Sequence, residues 1–70
     1  MTRKYYCKIV FKHLKKANRN LEDEYYTDYL SDGKSWINEV CDIYEVELYY
    51  IIEVETDELV YNSEEDEIGF

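Results

Sequence analysis

From residue 4 to residue 14 the chain alternates. Tyr5, Cys7, Ile9, Phe11 and His13 fall on one side, and Tyr6, Lys8, Val10, Lys12 and Leu14 on the other. Strict alternation with aromatic and β-branched residues is the pattern of a half-buried β-strand. The first set is expected to face the core, and the lysines of the second to stand in water. Residues 15–23 are polar and include Asn18 and Asn20, which predicts a long turn or loop. Residues 24–30, rich in Tyr, predict a second strand that closes a hairpin. Ser31-Asp32-Gly33 breaks it, and a helix is expected to start near Gly33–Ser35 with Asp32 or Ser35 as N-cap. Trp36, Ile37, Val40, Cys41 and Tyr44 then recur at helical spacing, the apolar stripe of an amphipathic helix of about three turns, with Asn38, Glu39, Asp42 and Glu45 opposite.

Alternation returns in its strongest form from Val46 to Glu55. Val46, Leu48, Tyr50, Ile52 and Val54 make one unbroken apolar face. Glu47, Tyr49, Ile51, Glu53 and Glu55 make the other, expected to point outward. Thr56-Asp57 predicts a hairpin turn, although without the usual Gly. Residues 58–63 predict the return strand, with Leu59 and Tyr61 inward. Glu64 to Glu67 form a like-charge block expected to fray, leaving residues 64–70 as an acidic tail. The order ββαββ predicts an α+β fold: an antiparallel four-stranded sheet with one amphipathic helix packed on one face, the whole of residues 1–70 forming a single domain.

Charge adds more than composition does. Hydrophobic residues make up 46% of the chain, which argues against disorder. No run approaches the ~18 apolar residues of a membrane span, and the start has no signal-peptide pattern, so a cytoplasmic protein is expected. The net charge is −9, but it is unevenly placed. Seven of the eight basic residues, Arg3, Lys4, Lys8, Lys12, Lys15, Lys16 and Arg19, precede every acid. From residue 21 onward the chain holds all 17 acids and only Lys34. Such asymmetry points to charged partners.

Catalytic and metal-binding patterns are not found. His13 is the only histidine, and Cys7, six residues away on the same strand, is ~20 Å distant by strand geometry. Three scattered Cys and His residues do not make a zinc site. Two glycines do not make a phosphate loop, and no calcium-loop spacing occurs. No cofactor is expected. Cys7 and Cys41 are expected to be reduced thiols at apolar positions.

The acids are the best functional clue. Glu47, Glu53, Glu55, Asp57 and Glu58 follow the strongest strand and its turn, with Tyr49 and Ile51 interleaved, and Glu39, Asp42 and Glu45 line the helix. Together they predict an acidic, Tyr-containing docking face for a basic groove. The acid-rich stretch from Glu22 to Glu67, the tyrosines Tyr25, Tyr26, Tyr29, Tyr49 and Tyr50, and the small size resemble, at class level, the acidic proteins that phages encode against host defences, such as anti-CRISPR proteins and other DNA mimics. That resemblance implies a non-enzymatic inhibitor of a nucleic-acid-binding protein or nuclease complex. The cationic N-terminal strand departs from a pure mimic. Two alternatives stand beside it: a self-associating adaptor, possible as a homodimer through exposed strand edges, and a nucleic-acid contact through the basic strand, which the acidic remainder of the chain disfavours.

Overall fold

A computed structural model describes residues 3–63. It contains β1 (Tyr5–Lys16), β2 (Arg19–Thr27), α1 (Leu30–Ile43), β3 (Val46–Glu53) and β4 (Glu58–Asn62). The strands form one antiparallel sheet in the order β2-β1-β3-β4. This is the expected α+β architecture. Because β2 and β3 each run antiparallel to β1 and flank it, they are parallel to one another. Parallel strands need a crossover, and α1 supplies it across one face of the sheet. The acidic block at 64–67 lies outside the described residues.

The first hairpin is tighter than the sequence suggests. β1 and β2 are joined by Ala17 and Asn18 alone, with φ of 54° and 65°, and Lys16 pairs with Arg19 to close the turn. Two successive left-handed residues are the geometry that matches the twist of a hairpin. The expected loop over 15–23 is therefore mostly strand. Ala17 gives no hint of this, because alanine is disfavoured at positive φ.

The helix begins earlier than expected. Leu30 is its first residue and Tyr29 its N-cap, without a side-chain capping bond, so Ser31, Asp32 and Gly33 are helical. The local alternative to a cap comes from β2: Thr27 Oγ1 accepts the Tyr29 N–H at 3.2 Å and donates to Asp32 Oδ2 at 2.8 Å, and Tyr25 Oη donates to the same oxygen at 2.6 Å. These bonds hold the Asp32 carboxyl below its ordinary range and raise the Tyr25 phenol. A negative side chain in the first turn also suits the helix dipole. Gly33 is buried and is the point of closest approach to the sheet. A Cβ there would lie 2.8 Å from Cys7 Sγ and 3.2 Å from Ile51 Cδ1.

The core is Cys7, Ile9 and Phe11 of β1, Ile37 of α1 and Ile51 of β3, with Trp36, Val40, Val46, Tyr49, Val60 and Tyr61 packed around it. Trp36 stacks on Tyr25 at 5.1 Å between ring centres, and Phe11 meets Tyr44 edge-on at 5.4 Å. Burying each isoleucine contributes about 1.5–3 kcal/mol before conformational entropy is set against it.

From Leu48 onward β3 faces the opposite way from the expectation, whereas Val46, opposite Phe11 beyond a bulge, packs on the core as expected. Ile51 is fully buried and Tyr49 packs on the core, under the helix. Leu48, Tyr50 and Ile52 lie on the uncovered face. β1 is responsible, because Cys7 pairs with Ile51 and Ile9 with Tyr49. Residues opposite one another in a ladder share a face. The lysine-free face of β1 takes the helix, and β3 must follow it. A bulge between Ile51 and Ile52 on the β4 side has a similar effect on Leu59, which pairs with Ile52 and is 53% exposed rather than inward, whereas Tyr61 is half-buried against the core as expected. Cys41, read as an apolar stripe position, is exposed.

Candidate functional site

The predicted acidic face does not exist as one surface. Glu47 and Glu53 are six residues apart on β3, about 20 Å along the strand. Between them, on the same face, Tyr49 and Ile51 are occupied by the core. Neither residue is available to a partner, so both leave the candidate site. The remaining acids fall into two groups.

The first group gathers where α1 ends and β3 begins. Glu39 and Asp42 are exposed on the helix, and Glu45 is exposed in the connection. Glu45 Oε2 lies 2.6 Å from His13 Nε2, and its carbonyl accepts the Lys12 N–H at 3.0 Å. Glu47 accepts a bond from Asn20 Nδ2 at 2.6 Å, reaching across β1 to β2. The second group is the β3–β4 turn. Glu53 accepts from Thr56 Oγ1 at 3.0 Å and stands opposite Glu58, like charge beside like. Asp57 holds a left-handed φ of 58°, and Glu55 lines a shallow recess of about 370 Å³ with Arg3, Lys4, Asp28 and Val54.

Several acids that the sequence leaves open find partners within the chain. Lys8 binds Glu22 at 2.9 Å and Arg3 binds Asp28 at 3.1 Å. The bond to Glu22 raises the Lys8 pKa. Tyr6 Oη donates to Glu24 at 2.6 Å; burial, then this bond, raise its pKa.

The helix end has a property that the acids alone do not reveal. Ile43 and Tyr44 beside them are 73% and 48% exposed. Glu39, Asp42 and Ile43 follow at three- and four-residue spacing and share one helical face. The last turn of α1 has no basic residue. Its carbonyls carry the negative end of the helix dipole, where cations stabilise and anions do not. Asp42 and Glu39 therefore stand where their charge works against the helix, next to apolar side chains that water solvates poorly. A local rule broken this way is commonest at working surfaces.

Sequence reasoning missed a second surface, the face of the sheet that α1 leaves uncovered. Tyr6, Val10, Leu48, Tyr50, Ile52 and Leu59 lie on it. Tyr6 contacts Tyr26 and Tyr50, with ring centres 5.1 and 6.4 Å apart. The signal was present in the chain. Residues 46–54 carry apolar side chains on both faces, Tyr49 and Ile51 on one and Leu48, Tyr50 and Ile52 on the other, and one helix covers only one.

Among the described residues no group of His, Cys, Asp and Glu is placed to hold a metal ion, and no helix is long and apolar enough to cross a membrane. Cys7 is buried, and burial with the nearby Asp32 charge pushes its thiol up to about 11. No family model, no curated protein and no solved structure matches this chain. Its function has to be read from its own surfaces.

Proposed function

We propose that this chain is a non-enzymatic, cytoplasmic binding protein that docks the C-terminal end of α1 on a cationic protein surface. The observation that carries this reading is the helix end itself: Glu39 and Asp42 stand near the negative pole with no base in the last turn, beside exposed Ile43 and Tyr44, and Glu45 follows, paired with His13. A basic groove built for nucleic acid is the partner chemistry that fits. Its Lys and Arg side chains would neutralise the acids and the helix carbonyls together. Ile43 and Tyr44 would supply the apolar contact that charge alone does not. The protein would then act by occupying the groove, the mode of small acidic inhibitors of nuclease complexes. The acids of the β3–β4 turn would steer the approach.

Affinity capture from a bacterial lysate, at low and raised salt, tests this with two variants. Glu39→Lys with Asp42→Lys should abolish capture of a cationic protein. Ile43→Ser with Tyr44→Ser should weaken it. The lysine variant should at the same time be more stable, by about 0.3–1 kcal/mol per site, because it satisfies the dipole. Lost binding with gained stability separates a working surface from a structural one. Capture that survives the lysine variant would refute the proposal.

A further inference from the structure

The uncovered sheet face is built to be covered, and the charges around it specify by what. Its apolar residues form a continuous strip across β1 and β3, from Tyr6 and Val10 to Leu48, Tyr50 and Ile52, with Leu59 at the margin. Two hollows indent it, one of about 380 Å³ bounded by Tyr6, Tyr26 and Ile52 and one of about 150 Å³ bounded by Leu48, Tyr50 and Leu59. With strands about 4.8 Å apart and about 3.3 Å per residue, five residues along three strands make a patch of roughly 240 Å². Two of the polar groups on it are paired within the chain: Lys8 with Glu22 at 2.9 Å and Tyr6 Oη with Glu24 at 2.6 Å.

Charge selects the partner. Lys12, Lys15, Lys16 and Arg19 are exposed on the β1–β2 hairpin, and none of them is in an ion pair among the described residues. Glu55 and Asp57 stand in the β3–β4 turn, with Asp57 at the rim of the larger hollow, whereas Glu53 and Glu58 pair opposite one another on the side that α1 covers. The sheet order and antiparallel pairing place this turn at the other end of the sheet and on its other side. Basic and acidic groups thus stand at diagonally opposite corners of one apolar face. We infer that the occupant is a second copy of this chain, packed face to face about a two-fold axis lying between the sheets and perpendicular to that diagonal. Such an axis sets each basic hairpin on the other copy's acidic turn, twice, and crosses the strands steeply, as in orthogonal sheet packing. The two apolar patches contribute roughly 500 Å² and the charged corners extend the contact toward the about 1,200 Å² total of a stable interface. This pairing leaves α1 and its acidic end outward on both sides, so it stands or falls separately from the docking of the helix.

Sedimentation equilibrium of the full chain, from micromolar to millimolar, is the test. The wild type should dimerise, more weakly as salt rises. Leu48→Glu should raise the dimer Kd about thirtyfold or more, the effect of losing a central contact. Two surface variants test the geometry without touching the core: Lys12, Lys15 and Lys16 changed to Glu, and Glu55 and Asp57 changed to Lys. Each alone should be monomeric. Mixed together they should form a heterodimer, because both corner contacts are then restored. A monomeric wild type, even one that captures another protein through this face, overturns the inference. So does a dimer indifferent to Leu48→Glu, or a mixture that does not pair.

Discussion

Gly33→Ala isolates the contact that lets α1 lie as close to the sheet as it does. Alone on a helix the change would stabilise, because glycine in a helix costs up to about 1 kcal/mol relative to alanine. Here the new methyl would sit 2.8 Å from Cys7 Sγ and 3.2 Å from Ile51 Cδ1, while Thr27 Cγ2 at 3.6 Å is ordinary contact. The Ile51 methyl can rotate by a few tenths of an ångström. Cys7 is short and fully buried, so its sulfur cannot swing away without moving β1. Overpacking of this kind costs about 1–3 kcal/mol. Set against the propensity gain, the variant should lose about 1 kcal/mol net. The partner change, Cys7→Ala, removes the obstructing sulfur. In that background Gly33→Ala should be neutral or stabilising, a coupling of about 1–2 kcal/mol between the sites. Urea unfolding followed by Trp36 fluorescence and far-ultraviolet circular dichroism measures all four corners of the cycle. With a slope near 1 kcal/mol/M for so small a domain, the single variant should unfold at about 1 M less urea. Stabilisation by Gly33→Ala in the wild-type background, or the same effect in both backgrounds, would refute the close-approach argument.

Other expectations follow from single residues. Ala17, held at φ 54°, should prefer to be glycine; Ala17→Gly should stabilise by about 0.5–1 kcal/mol and raise Tm by a few degrees, and a lower Tm would contradict the two-residue turn. In the native state a thiol reagent at pH 8 should modify exposed Cys41 but not Cys7, whose buried thiol is pushed up to about 11, and unfolding should release the second thiol; two reactive thiols in the native protein would be inconsistent with the core. Asp32 is lowered below its unfolded value near 3.8, so its contribution is fully present above that pH and is lost as pH falls through the folded value. Asp32→Asn should accordingly be less stable than wild type at neutral pH, and the gap should start to close only as pH falls past the unfolded carboxylate value of about 4 and disappear below the lower folded value; a stability gap independent of pH would remove the carboxylate from that account.

The alternation of Tyr5 to Phe11 and of Val46 to Glu53, and the helical spacing of Ile37 and Val40, were enough to predict four strands, one helix and an α+β sheet, because each pattern is a property of a few consecutive residues. The exposed acids Glu39 and Asp42 of the helix were legible for the same reason. The inward and outward faces of β3 were not. The strand's own pattern favours burying its unbroken apolar face, Val46, Leu48, Tyr50, Ile52 and Val54, while the other face still carries Tyr49 and Ile51. Pairing with β1 decides, since Cys7 and Ile9 carry Ile51 and Tyr49 under α1 and turn Leu48, Tyr50 and Ile52 to the open side. The same long-range geometry separates Glu47 from Glu53, gives Glu45 to His13, and places the basic hairpin and the acidic turn at opposite corners of one sheet. Local periodicity is written in neighbouring residues and can be read one segment at a time. Which face is covered depends on the competition between strands for a single helix, and that competition exists only once the chain has folded.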